Sequence, residues 1–265
     1  MKKWKKIVTT ALACATFILP VSGESVQTIA GTMPLPTGLN AVSVSNTETV
    51  KVAKDIIDYE LKKVRNEQSI LKSSKSVREL TESRKGLDYL GTVVDVYELY
   101  GTSQYGEHSG WMAAVDLRTV GKLVGADKRN LLPINWDGDV VLGPATEQYM
   151  IKQVNEFLPK LESEYNKRGQ SYVSMTEKNK HPYYRESRLT VENIEYMKKL
   201  NNTEYPTYTA GMRAMVTQNG VQFPMYVKAA LVMNPKTPTL YLFGADDIEH
   251  QYFGPKVDSM ISQLK

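Results

Sequence analysis

The chain has 265 residues, 42% of them hydrophobic and 23% charged, with a formal net charge of +4, three His and one Cys. Lys2, Lys3, Lys5, Lys6 and the only cysteine, Cys14, all fall within the first 23 residues, so positions 24–265 hold 29 basic and 29 acidic residues and no Cys. That balance speaks against nucleic acid as a partner, and beyond residue 23 it excludes a disulfide framework, a thiol nucleophile and a Cys-ligated metal.

The opening MKKWKKIVTTALACATFILPVSG has a basic start, an apolar stretch from Ile7 to Leu19, a break at Pro20 and small residues through Gly23. This is the anatomy of a secretory signal peptide, too short for a permanent span of about 20 residues. Two cleavage points fit, after Gly23 or after Ala30. Cys14 also raises lipidation, but only seven residues from Ile7 to Ala13 precede it, short for a lipoprotein leader. The chain is therefore expected outside the cytoplasm, periplasmic or extracellular, with no transmembrane anchor after cleavage.

Residues 24–44 read as an extended lead-in with a short strand at 39–44, and 45–265 as one α+β domain. Ser45 and Glu48 have capping-box spacing. Val50, Ala53, Ile57, Leu61 and Val64 then recur at three- and four-residue steps, predicting an amphipathic helix over about 46–71. Residues 73–90 are polar and helical in pattern. Thr92–Tyr100 reads as a strand, as does Trp111–Leu117, with Trp111, Ala113, Val115 and Leu117 on one side. Asp137-Gly138 marks a turn. Pro144 opens a second helix, about 145–166, which Pro159 should kink or divide. After a polar connection, Thr190 caps an expected short helix ending near Leu200.

The last quarter is the most patterned. Tyr208–Gln218 alternates with Ala210, Met212, Ala214 and Val216 on one face; Asn219-Gly220 is a two-residue hairpin signal. Val221–Met233 answers with Met225, Val227, Ala229 and Leu231, its Pro224 marking an edge or a bulge. Thr239–Phe243 completes an antiparallel meander over about 208–243. Gly254-Pro255 introduces a final helix, about 255–264, with Val257, Met260, Ile261 and Leu264 as its apolar stripe. The expected fold is an α+β antiparallel sheet packed by these helices. The Asn219-Gly220 hairpin, the strands MYVKAALVM and TLYLF and the helix KVDSMISQL together resemble the end of a PsbP-like α/β/α sandwich domain. That resemblance covers about a quarter of the chain. It implies an exported, non-enzymatic accessory or binding protein and supplies no catalytic residues.

Four stretches hold chemistry-bearing side chains. In ADDIEH, the residues Asp246, Asp247, Glu249 and His250 could offer oxygen and imidazole ligands to a divalent cation, although no calcium-loop spacing or HExxH is present. Acids that follow a strand and precede a helix also suit a solvated turn near the positive helix start. In SQYGEHSGW, the residues Ser103, His108 and Ser109 suggest a nucleophile, but G-x-S-x-G is incomplete and a polar loop between two strands explains them more simply. In KHPYYRESR, the residues His181, Tyr183, Tyr184, Arg185 and Arg188 combine the aromatic and guanidinium groups that supply interface energy. The plainer reading has Tyr183 and Tyr184 anchoring a loop. Asp137 and Asp139 resemble part of a calcium loop, but Val140 stands where its glycine belongs, so NWDGD reads as a turn. The expectation is a non-enzymatic binding or accessory protein of the bacterial envelope with no cofactor, its partner an envelope protein or glycan. The alternative is a metal-assisted hydrolase using His108, His181 or His250 with Asp246, Asp247 and Glu249.

Overall fold

A computed structural model of the chain describes residues 25–29, 31–44, twelve helical positions between 50 and 93, and then 94–123, 143–166, 187–218 and 221–264. The protein is α+β. Its centre is a seven-stranded antiparallel sheet of two meanders, β3 (Leu39–Val44), β4 (Val94–Ser103) and β5 (Gly106–Asp116), then β6 (Ser187–Lys199), β7 (Thr207–Gln218), β8 (Val221–Val232) and β9 (Thr239–Asp246). The spatial order is β3-β4-β5-β9-β8-β7-β6, so the meanders join where β5 pairs with β9. Helix α1 (Leu117–Leu123) follows β5, α2 (Pro144–Phe157) precedes β6, and α3 (His250–Ser262) follows β9. No helix among the described residues is long and apolar enough to cross a membrane.

The lead-in is more structured than expected. β1 (Ser25–Thr28) and β2 (Gly31–Pro34) form a hairpin that delivers Val26 and Met33 to the core, 5% and 0% exposed. Two bonds fasten it to β4. The Tyr97 hydroxyl donates to the Gln27 carbonyl at 2.7 Å, and the Ile29 N–H donates to Asp95 Oδ2 at 2.5 Å. Burial, aided by the Asp95 charge, pushes the Tyr97 phenol up to about 12, so it stays a donor at ordinary pH.

Side-chain alternation decides which face each strand residue serves. The hairpin and α3 cover one face, where Leu39, Leu99, Met112, Tyr241 and Phe243 meet Phe253, Val257, Met260 and Ile261. The other face receives α1 and α2 at one end, with Leu117 and Met150 against Tyr208, Leu231 and Met233. The predicted registers hold: Ala210 faces Ala229, Met212 faces Val227 and Ala214 faces Met225. Pro224 faces Met215 beyond the last β9 pairing at Met225, an edge as expected. Pro159 sits in a 3-10 turn, Leu158–Lys160, dividing α2 from the helical residues 161–166. The described positions of 50–61 and 81–87 are helical, agreeing with the pattern read there, whereas Thr92 and Val93 are helical too, so the strand expected from Thr92 starts at Val94. The expected turn at Asp137-Gly138 lies outside the described residues.

Three expectations are corrected. Residues 190–200 are not a helix but most of β6. Its inward residues Val191, Ile194 and Met197 are three apart because register shifts fall between Val191 and Asn193 and between Glu195 and Lys198. Two bulges thus imitate the period of a helix. The last helix starts at His250, not Pro255, and encloses that proline. The aromatic pair Tyr252-Phe253 docks on the sheet and draws in the first turn; Pro255 removes only the bond to Gln251, an exposed residue. Ser103–Trp111 is not a loop. Only Gln104 and Tyr105 turn, and Gly106 onward is ladder, because Gly106 accepts a φ of +132° that closes the hairpin.

The outer edge of β6 is met by side chains instead of a strand. Asn155 accepts from the Met197 N–H at 2.6 Å and donates to the Met197 carbonyl at 3.0 Å. Asn166 does the same for Leu189, at 2.8 Å each way. Glu162 accepts the Val191 N–H at 2.9 Å. At about 0.5–1.5 kcal/mol net per bond, Asn155→Ala and Asn166→Ala should each cost about 1–3 kcal/mol in urea unfolding, adding nearly independently in the double variant. Two silent single variants would show that these carboxamides do not hold the edge.

Candidate functional site

The site lies where the β4–β5 hairpin meets the start of α3. Ser103 faces Gly106 across the turn, and its Oγ accepts the Tyr105 N–H at 3.1 Å, which fixes the hydroxyl locally. His108 faces Gly101 on the same side of the ladder. Gly101 leaves its place to Tyr252: a Cβ there would stand 1.9 Å from the phenol oxygen. Tyr252 therefore lies flat on the sheet and stacks on His108, ring centres 3.8 Å apart and 12° from parallel. Its hydroxyl donates to the Gly38 carbonyl at 3.2 Å. Gly110 makes a second seat, with the Phe253 ring 3.2 Å from where its Cβ would be. Two glycines on the strand face thus receive two consecutive aromatics of α3.

This packing carries Glu249, in the 3-10 turn Asp247–Glu249, to the imidazole. Glu249 Oε2 is 2.7 Å from His108 Nδ1, and His108 Nε2 is 2.7 Å from Ser103 Oγ. The His and Glu side chains are only 17% and 19% exposed. An ionised carboxylate can only accept, so facing it Nδ1 carries a proton; a neutral ring in that tautomer has its Nε2 lone pair free to accept from the Ser103 hydroxyl. The chain of bonds runs hydroxyl to imidazole to carboxylate. Burial, and then the Glu249 charge, raise the pKa of the Tyr252 phenol and keep it protonated.

The other members of ADDIEH go separate ways. Asp246 ends β9, exposed. Asp247 holds Arg213 through two bonds of 2.6 and 2.5 Å, which lower the carboxyl's pKa and raise the guanidinium's. His250 meets Tyr226 edge-on at 4.6 Å. Among the described residues no group of three or more His, Cys, Asp or Glu could hold a metal ion. Of the binding candidates, Arg188 lies exposed on β6, while His181, Tyr183, Tyr184 and Arg185 lie outside the described residues, as do Asp137 and Asp139. The sequence reading joined His108 and Glu249 only as candidate metal ligands; what it missed is their direct bond, across 141 positions, with Ser103 on the other ring nitrogen. The usable signal was local: a turn at Gln104-Tyr105 puts Ser103 and His108 on one face.

Four large apolar side chains stand exposed at this end of the sheet. The β4–β5 and β7–β8 hairpins both run past the end of β9. They expose Tyr105 (85%), Val221 (49%) and Phe223 (38%), and Ile248 (85%) stands on the turn after β9.

A pH test follows from the Arg213–Asp247 pair. Its depressed carboxyl lies below the ordinary value of about 3.9, so its stabilisation is complete above about pH 4 and is lost as pH falls through the folded value. Asp247→Asn should melt below wild type at about pH 7, the gap closing as pH falls through the carboxyl's lowered value. An undiminished gap at the acid end would refute a charge-based role.

No family model matches the chain, and no curated protein matches it. Among solved structures, a protein of unknown function from Pseudomonas aeruginosa is similar, at 7% identity and a TM-score of 0.29, over 65% of this chain and 81% of that one. At that score the likeness carries no argument about fold or function.

Proposed function

We propose that the chain is an exported protein of the bacterial cell envelope that acts by binding, as an accessory to an envelope protein or glycan. The observation that carries this reading is a set of exposed apolar side chains at one end of the sheet. Tyr105 and Ile248 are each 85% exposed, and the β7–β8 hairpin exposes Val221 and Phe223 at the same end. Soluble surfaces seldom gather such groups without a partner, and aromatic rings suit both protein pockets and sugar faces. Export rests on the leader. Of its two cleavage points, the one after Gly23 spares β1, whereas a cut after Ala30 would remove a strand that places Val26 in the core. The PsbP-like pattern of residues 219–264 belongs to the same reading. Among the described residues the metal-assisted alternative has no observation of its own: His108 and Glu249 meet each other, while Asp247 and His250 are engaged elsewhere.

The full chain, expressed in an exporting bacterium, should leave the cytoplasm with Glu24 as its new N-terminus. It should then be retained by cell-wall sacculi or be photo-crosslinked to an envelope protein from position 105. Tyr105→Ser plus Ile248→Ser should weaken whichever interaction is seen by about tenfold or more, the scale of losing a central aromatic or aliphatic anchor. Uncleaved chain retained inside the cell would end the export reading. Undiminished binding by the double variant would move the partner to another surface.

A further inference from the structure

We propose that Ser103, His108 and Glu249 form a nucleophilic relay for acyl transfer, acting on carboxylic esters with a small apolar acyl group. This goes beyond binding and adds a reaction at the same end of the sheet. Three features carry it. The bonds run in the order such chemistry needs, with Ser103 Oγ 2.7 Å from Nε2 and Glu249 2.7 Å from Nδ1. The relay is held by the scaffold: Ser103 and His108 lie on one ladder, Tyr252 stacks on the imidazole, and Gly101 makes room for that ring. The hydroxyl is only partly buried, and the apolar side chains of Tyr105 and Ile248 stand exposed, two residues from Ser103 and one from Glu249.

The step balances within the chain, the ester and water. As the Ser103 oxygen bonds to the acyl carbon, its proton passes to His108 Nε2, and the imidazolium is stabilised by Glu249. The bond from the acyl carbon to the leaving oxygen breaks, and that oxygen takes the proton from Nε2. Water, deprotonated by the same imidazole, then releases the acid and restores the hydroxyl. The Tyr105 N–H, which donates to Oγ at 3.1 Å, holds the nucleophile in place. Ser103 and His108 are the catalytic residues. Glu249 is a positioning residue that holds the imidazole in the tautomer with a free Nε2.

The test uses the full chain with an alkyl fluorophosphonate and, separately, p-nitrophenyl butyrate. The expected result is one phosphonyl adduct per chain, mapped to Ser103, and none in Ser103→Ala. His108→Gln should slow adduct formation at least about 100-fold, the usual scale for a lost general base. Glu249→Gln should slow it and move the pH midpoint of labelling downwards, since the imidazolium loses its carboxylate. Thermal unfolding of each variant separates chemistry from fastening. A lowered melting temperature in His108→Gln with an unchanged labelling rate would make the chain of bonds a structural tie and overturn the proposal. So would the absence of an adduct, or an adduct elsewhere. Retention of Ser103→Ala by the envelope partner tests the binding reading separately, so either can fail alone.

Discussion

The pairing of β5 with β9 is the constraint on which the architecture rests. Six facing pairs, from Trp111 opposite Gly244 to Asp116 opposite Thr239, join two meanders far apart in the chain. Without it there would be a three-stranded and a four-stranded sheet, each with an open edge. Gly244 lets the seam close, since a Cβ there would lie 2.3 Å from the Trp111 ring. The site is a by-product of this pairing. β9 ends beside the β4–β5 hairpin, and the turn after it places Glu249 against His108.

Around that seam, charge is used to tie layers together. Lys228 is 5% exposed on β8, yet its ammonium bridges Asp258 of α3 and Glu195 of β6, the latter at 2.9 Å. Burial alone would make it easier to deprotonate, but the two carboxylates outweigh burial and raise its pKa. Gly211 lies between Lys228 and Glu195 in the row across the sheet, leaving the gap that the carboxylate crosses. Arg213 and Asp247 repeat the device one row away, tying β7 to the turn before α3. Such pairs add little where water reaches them and set geometry where it does not.

The legible parts of the fold were those whose causes are local. Asn219-Gly220 and strict alternation on both sides of it identify β7 and β8, because a two-residue turn leaves one register that buries both apolar faces. β6 was misread because its bulges shift the inward residues to a spacing of three, and nothing within the strand marks a bulge. The start of α3 was misread because Pro255 resembles a first-turn residue, while what begins the helix is the seat that Gly101 and Gly110 offer to Tyr252 and Phe253. The same distance hid the site. In sequence Ser103 and His108 share one stretch and His108 and Glu249 share only a metal-ligand alternative, but the folded sheet makes one group of the three.

The side chains along β6 have a consequence for assembly. Asn155, Glu162 and Asn166 satisfy the backbone groups of Leu189, Val191 and Met197 as another strand would. A second copy, or any extended peptide, adding itself there would first have to displace five bonds. Strand addition along Leu189–Met197 of β6 therefore has to break this side-chain cover first, which works against polymerisation at that margin.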